Sequence, residues 1–285
     1  MAQTVKIISD STCDLSKDLL EKYDISILPL HILLGETEYR DGVDITPEEI
    51  FRWSDENKTT PKTSAPSMTE AMEVMKPFLD EGREIICFSI SDSMSTSGNV
   101  MRLAAEELEA SDKVTVINSA NLSTGIGLQV IQAAILSAEG KTRAQITAAI
   151  EEIRPRVRAS FTVDTLTYLY RGGRCNAVAA LAGTMLKLHP RIVVEGGAMN
   201  ASKKYRGKLG AVILSYTKDM EDDLKNAVPD RVFITHSGCD REIVESVRSY
   251  LESLGIFNEI LETRAGGVIS SHCGPGTLGV LFIEK

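Results

Sequence analysis

The stretch that most constrains this chain is residues 84–99, where a short apolar strand is followed at once by hydroxyl side chains. Residues 85–88 (IICF) have the pattern of a buried strand. Six serines and threonines then occupy positions 89–97, and a helical pattern follows Gly98 and Asn99. A strand leading through hydroxyls to a helix N-terminus favours an anion, because free backbone N–H groups and the helix dipole both attract negative charge. The same pattern fits a serine-rich loop that only caps the helix, and this stretch alone does not decide between the two.

Apolar strand patterns alternate with helical patterns up to about residue 155. Such alternation predicts a mostly parallel sheet with helices on both faces. A buried strand is also predicted over residues 25–34, at an edge or with a bulge because it contains Pro29. Residues 62–67 are predicted to form a second hydroxyl-rich loop before a helix. Ligands of open α/β sheets lie beyond the carboxyl ends of the strands, and polar clusters follow three of the predicted strands, at residues 9–12, 91–97 and 118–124.

The second part of the chain reads as a second α/β layer domain, with short strands between helices. Pro155 and the arginines around it mark the expected boundary. Helices are predicted near residues 177–188, 208–224 and 241–254.

Charge is distributed unevenly along the chain, whose net charge is −9. Residues 1–150 carry 13 Lys/Arg against 24 Asp/Glu, whereas residues 154–208 hold eleven basic residues and only two acids. An anionic ligand or partner is therefore expected to meet residues 154–208, although a solvated basic face with no partner fits equally. Nucleic acid is not expected as a partner, because the chain as a whole is acidic and shows no basic–aromatic interleaving.

Several classes of site are not expected. The five cysteines are widely separated and the four histidines are scattered, so neither a metal site nor a disulfide framework is predicted. The cysteines are instead expected to be reduced thiols in a cytosolic protein. No signal peptide or membrane helix is predicted, since glycines and Pro275 interrupt the uncharged residues 265–283. No cofactor is predicted either: a Walker A motif is absent, and only six residues follow the GPGTLG segment at 274–279.

His272 is a candidate ligand-facing residue, because it precedes a glycine-rich turn. A histidine satisfied by its own loop backbone is the alternative. A Ser–His acyl-ester hydrolase using Ser95 and His272, with Asp10 or Asp164, is a further alternative, although the flanking glycines of a nucleophile elbow are absent.

Arg171 and Arg174 flank a glycine pair, an arrangement that suits contact with a carboxylate or phosphate. A helix end with ordinary surface arginines explains the same residues.

Taken together, these segments resemble the DegV family of bacterial fatty-acid-binding proteins, the lipid-carrying subunits of fatty acid kinase. The resemblance extends from end to end of the chain. It rests on residues 9–12 (SDST), 41–46 (DGVDIT), 63–67 (TSAPS), 91–97, 172–174 (GGR) and 272–276 (HCGPG).

The resemblance implies a two-domain α/β fold, with domains at residues 1–156 and 157–285 and one long-chain fatty acid buried between them. It implies that Thr63, Ser95 and His272 hold the carboxylate. A separate ATP-binding kinase subunit would then convert that carboxylate to an acyl phosphate, so that this chain itself would be non-catalytic. Arg171 and Arg174 would contact the kinase or the phosphate. A cytoplasmic location is expected, and transient membrane contact is compatible with it.

The chain departs from the family at one point. The family commonly has Leu-Ser-Gly-Thr-Tyr around the head-group serine, whereas this chain has Met-Ser-Thr-Ser-Gly at residues 94–98. Ser93 and Ser97 are therefore further candidates for the same role. For a fatty acid, burying about 15 methylenes at ~0.8 kcal/mol each gives a gross gain on the order of 10 kcal/mol, so the tail would supply most of the affinity.

Overall fold

The protein is described here by a computed structural model covering residues 5–175 and 188–285. Its strands are β1 (Val5–Asp10), β2 (Ile25–Leu28), β3 (His31–Leu34), β4 (Thr37–Arg40), β5 (Lys62–Ser64), β6 (Glu84–Ser89), β7 (Val114–Asn118), β8 (Val157–Thr162), β9 (His189–Glu195), β10 (Ala198–Tyr205), β11 (Ala227–Ser237), β12 (Glu259–Arg264) and β13 (Thr277–Glu284). Its helices are α1 (Lys17–Lys22), α2 (Pro47–Asn57), α3 (Met68–Asp80), α4 (Ser97–Glu107), α5 (Thr124–Ala138), α6 (Arg143–Ile153), α7 (Thr167–Gly172), α8 (Leu209–Lys218), α9 (Glu221–Lys225), α10 (Arg241–Leu254) and α11 (Gly267–Cys273).

Four parallel strands form the sheet predicted for the N-terminal part, in the order β2-β1-β6-β7. Side chains of β6 alternate between its faces, as a strand's geometry requires. Ile85 and Cys87 pack with α3 and α4 on one face, whereas Ile86 and Phe88 join the core around α5 on the other. The predicted parallel sheet with helices on both faces is confirmed.

The C-terminal part is built on a mixed six-stranded sheet, in the order β10-β9-β8-β13-β11-β12. Helices α8 and α10 cover one face of this sheet. The predicted second α/β layer is confirmed, but residues 208–224 form two helices, α8 and α9, where one was expected. Residues 177–187 of another predicted helix lie outside the described residues. The chain leaves the parallel sheet and enters the mixed one near Val157, and the division into two domains at that point stays a prediction.

Helix α5 lies between the two large sheets and is buried on almost every side. Its apolar residues share one core with β1 and β6 and with Phe161, Ile192 and Leu281 of the mixed sheet. A helix that is apolar all round is expected in such a position. This shared core joins the N-terminal and C-terminal sheets.

A small antiparallel sheet, β4-β3-β5, carries Thr63 and corrects two predictions. Residues 25–34 form two strands in different sheets, because the chain turns at Pro29 and Leu30 between β2 and β3. Residues 62–64 form β5, where a loop was expected. This strand is short, and its side chains are exposed or half-buried, so its sequence carries no apolar alternation.

No helix in residues 5–175 or 188–285 is long and apolar enough to cross a bilayer.

The packing of α4 gives a test of this arrangement. Met101 is fully buried between α4 and the parallel sheet, whereas Leu103, two residues later, is 45% exposed. We expect Met101→Ala to lower the free energy of unfolding by ~2–5 kcal/mol, because it leaves a cavity. Leu103→Ala should change it by less than ~0.5 kcal/mol. Chemical denaturation of both variants measures the difference, and equal losses would contradict the placement of this helix.

Candidate carboxylate-binding site

A cavity of about 490 Å³ opens where the carboxyl edge of the parallel sheet meets β5, α11 and the residues that follow α7. Its volume lies in the range typical of small-molecule sites. Five of the seven residues proposed from the sequence line this cavity: Thr63, Ser93, Ser95, Arg174 and His272. Ser97 and Arg171 are not among its lining residues. Whether any of them binds a ligand stays a prediction.

The hydroxyl-rich turn between β6 and α4 is held by hydrogen bonds to the buried carboxylate of Asp10. This carboxylate accepts hydrogen bonds from the Ile90 N–H at 2.9 Å and from the Ser97 hydroxyl at 2.7 Å. Burial raises the pKa of Asp10, and these hydrogen bonds oppose the rise. Ser97 therefore faces the interior of the protein and anchors the turn.

Ser95 lies at the cavity and contacts the start of α4. Its side chain is half-buried, lines the cavity and accepts a hydrogen bond from the Ser97 N–H at 3.2 Å. The neighbouring Ser93 hydroxyl donates to the Gly197 carbonyl at 2.5 Å, which ties the turn to the β9–β10 connection. In its bond with the Ser97 N–H, Ser95 is the acceptor. The Ser95 hydroxyl proton is not used in that bond and is available to an acceptor in the cavity.

Thr63 and His272 meet across the cavity, although 209 positions separate them in the chain. The Thr63 Oγ1 lies 2.8 Å from the His272 Nε2. With the imidazole proton on Nε2, His272 donates to Thr63, and the Thr63 hydroxyl proton is free for a ligand oxygen. This tautomer turns the pair into a donor for a carboxylate.

His272 is held as a neutral imidazole. Burial and, to a lesser extent, the nearby positive charge of Arg174 together lower the pKa of His272 to about 4. The Nδ1 atom is buried without a hydrogen-bond partner among the described residues. A side chain at Gly172 would place its Cβ 2.4 Å from this Nδ1, so α7 approaches the ring closely only because a glycine stands there.

The two candidate arginines lie differently. Arg174 lines the cavity and donates to the Gly172 carbonyl at 2.9 Å, with its side chain exposed at the rim. Arg171 is exposed and donates to the Lys58 carbonyl at 3.2 Å, away from the lining.

A second, apolar gap lies between the cavity and the mixed sheet. Leu122, Ile269 and Cys273 line both spaces, and beyond them the gap reaches Phe161 and Leu281. The gap holds only about 30 Å³ of open space. An acyl chain that follows this route has to part these side chains.

Sequence reasoning missed α11, the helix that carries His272. It begins at Gly267, inside the uncharged segment 265–283, whose glycines were interpreted only as interruptions. The carboxylates of Asp14 and Asp41 accept hydrogen bonds from the first backbone N–H groups of this segment. The signal available in the sequence was weak. Asp41 lies in one of the segments that carry the family resemblance, and Asp14 lies two residues after another, but the resemblance assigns neither residue a role. Among the described residues, no group of three or more His, Cys, Asp or Glu side chains is placed to hold a metal ion.

The family model for the DegV family, described as uncharacterised proteins, matches residues 4–285. A DegV domain-containing protein of Clostridium perfringens is 32% identical over 281 residues, covering 99% of each chain. The chain belongs to the DegV family.

Solved structures of the DegV family have the same fold. A DegV family protein from Thermus thermophilus, described for its fatty acid binding, superimposes with a TM-score of 0.91 at 31% identity and covers 99% of this chain and 100% of its own. A stearic-acid-binding protein from Eubacterium ventriosum gives a TM-score of 0.85 at 31% identity, covering 99% and 98%. The two-sheet α/β architecture is therefore that of DegV structures.

The protonation of His272 in this DegV family member is directly testable. We expect its ring ¹⁵N signals to stay those of a neutral imidazole from pH 8 to about 5, because burial holds the pKa at about 4. His31 is an internal control: although burial lowers its pKa, hydrogen bonds to Glu38 and Glu70 outweigh that effect and raise it above the ordinary value. In an NMR titration His31 should become charged first as the pH falls, and the reverse order would contradict this account of the site.

Proposed function

We propose that this protein binds one long-chain fatty acid, with its carboxylate in the cavity at His272 and its chain in the gap between the two large sheets. The observation that carries the proposal is the Thr63–His272 hydrogen bond, which is formed at the mouth of an apolar passage. Relatives described as fatty-acid-binding proteins support it, since they share this fold at 31% identity.

The carboxylate is held by hydroxyl donors and a neutral histidine. The Thr63 and Ser95 protons point to the two ligand oxygens, and His272 donates to Thr63 from Nε2. Hydrogen bonds to a charged acceptor are roughly twice as strong as neutral ones. A neutral imidazole can fill this role, because with its proton on Nε2 it orients the Thr63 hydroxyl without placing a charge in a buried position.

The acyl chain supplies most of the binding free energy. Leu122, Ile269 and Cys273 form the passage from the head-group cavity, and Phe161 and Leu281 lie at its far end. This passage is apolar, so each buried methylene contributes ~0.8 kcal/mol before ordering costs. The polar end of the ligand consequently faces out, toward Arg174.

The Ser–His hydrolase alternative has little geometric support. A triad needs a carboxylate to orient the histidine, and His272 Nδ1 has no hydrogen-bond partner among the described residues. Asp10 is engaged by Thr12, Ile90 and Ser97, and Asp164 lies 3.9 Å from the ring of His189. We therefore propose a carrier and not a catalyst.

Oleate binding tests the proposal. Native mass spectrometry of the purified protein should show one adduct of fatty-acid mass, or one oleate after addition. Thr63→Ala, Ser95→Ala and His272→Ala should each weaken oleate binding about tenfold, because each removes part of a charge-assisted network. Thr59→Ala, at an exposed threonine four residues from Thr63, should have no effect.

A protein that carries no fatty acid and takes up no oleate would contradict the proposal. Equal affinity of all four variants would contradict the assigned head-group residues.

We further propose that a separate ATP-dependent kinase subunit phosphorylates the bound carboxylate. Arg174 stands at the cavity rim with an exposed guanidinium, where it can neutralise an incoming phosphate. Because this step requires ATP, the proposed location is the cytoplasm.

The kinase step has its own test. With a purified fatty acid kinase subunit, ATP and the oleate-loaded protein, acyl phosphate should form and be trapped by hydroxylamine as the hydroxamate. Arg174→Ala should lower the rate at least tenfold while oleate still binds, since the arginine contributes to phosphate stabilisation. Arg206→Ala, at another exposed arginine, serves as the control. Full activity of Arg174→Ala would contradict its role.

A further inference from the structure

Two buried carboxylates from the N-terminal part of the chain hold the start of α11. The Gly266 N–H donates to Asp14 Oδ1 at 2.8 Å, and the Gly267 N–H donates to Asp41 Oδ1 at 2.7 Å. These bonds join residues 252 and 226 positions apart. Asp14 and Asp41 are only 5% and 2% exposed.

Both carboxylates are themselves fixed on their other oxygen. The Ser123 hydroxyl donates to Asp14 Oδ2 at 2.5 Å, and the Ser11 hydroxyl donates to Asp41 Oδ2 at 2.8 Å. Every oxygen of the pair therefore has a named donor, and the two side chains are rigid supports.

The contact with α11 also depends on glycine at the start of the helix. A Cβ at Gly267 would lie 2.5 Å from the Ile32 side chain and 3.0 Å from Asp41 Oδ1. Only a residue without a side chain brings the backbone this close to the carboxylate.

Burying two carboxylates at the start of α11 costs free energy, and packing alone does not require it. Burial raises the pKa of Asp41 to about 6 and raises that of Asp14 well above its ordinary value, because water no longer solvates their charges. Apolar contacts of Val268 with Ile32 and Ile50 already bury this end of α11. Apolar packing is non-directional, whereas hydrogen bonds to fixed carboxylates set where a helix begins and how it is rotated.

His272 lies five residues after Gly267 on the same short helix. A rotation or slide of the helix start is transmitted to its ring, because a helix this short moves as one piece.

We propose that Asp41, assisted by Asp14, is a positioning residue for carboxylate binding: it fixes α11 so that His272 stays in hydrogen-bond reach of Thr63. The inference rests on the proposed fatty-acid binding. It assigns a role to two acidic residues that do not touch the ligand.

The test compares substitutions of Asp41 by oleate affinity and by the ring ¹⁵N signals of His272 in the ligand-free protein. Asp41→Ala should weaken oleate binding about tenfold and displace the His272 signals, because it leaves the buried Gly267 N–H without its acceptor. Asp41→Asn should restore both to near wild type, since its amide oxygen still accepts from Gly267. Asp44→Ala is the matched control, because Asp44 is a neighbouring acid that pairs with Arg40 at the surface.

A folded Asp41→Ala variant with wild-type affinity and unmoved His272 signals would overturn the inference. If that variant does not fold, Ser11→Ala removes the hydroxyl that fixes Asp41 Oδ2 and that also accepts from the Leu30 N–H. Displaced His272 signals together with weaker oleate binding support the inference, and no change in either overturns it. Failure of the wild-type protein to bind oleate would instead overturn the proposed function. The His272 signals of the ligand-free variants would still decide whether Asp41 positions the ring.

Discussion

The hydrogen bond between Thr63 and His272 is the contact on which the rest of the site depends. It joins a short strand near the start of the chain to a helix near its end. The ring in this contact is neutral, because burial and the nearby charge of Arg174 lower the pKa of His272 to about 4. Gly172 lets α7 close over the ring without a clash. The burial of His272 and the absence of a side chain at Gly172 together allow the close contact between Thr63 and a neutral ring.

The surrounding fold fixes the positions of the elements that carry Thr63 and His272. Helix α5 packs between the two large sheets and holds them in one core. The buried carboxylate of Asp10 fixes the serine-rich turn, and Asp14 and Asp41 hold the start of α11. Three acids in low-dielectric surroundings are an unfavourable choice for stability alone. Each of them accepts hydrogen bonds from backbone or hydroxyl groups of the elements that line the cavity, which relates their burial to the geometry of the site.

Much of the fold was predictable from the sequence, and the reasons for the failures are physical. The parallel sheet was predicted because its strands are apolar on both faces and alternate with helical patterns. Strand β5 was missed because the side chains of Lys62–Ser64 are exposed or half-buried and show no apolar alternation, so no sequence pattern marks its pairing with β3. Helix α11 was missed because Gly266 and Gly267, which allow the aspartates to approach, also make the local sequence resemble a turn.

The site was predictable only in outline. Polar strand ends pointed to the edge of the sheet at which the cavity lies, but residue patterns alone left Ser95 between a capping and a binding role. Thr63 was singled out by the family resemblance and not by its own surroundings in the sequence. The bond between Thr63 and His272 depends on how distant elements pack, and no local pattern encodes that distance.

The most direct test of this account is a crystal structure of the protein grown with oleate. The account predicts a carboxylate within hydrogen-bond distance of the Thr63 and Ser95 hydroxyls, with His272 still bonded to Thr63 and the acyl chain running past Ile269 toward Phe161. Oleate bound elsewhere, or bound in reverse with its methyl end at His272, would contradict it.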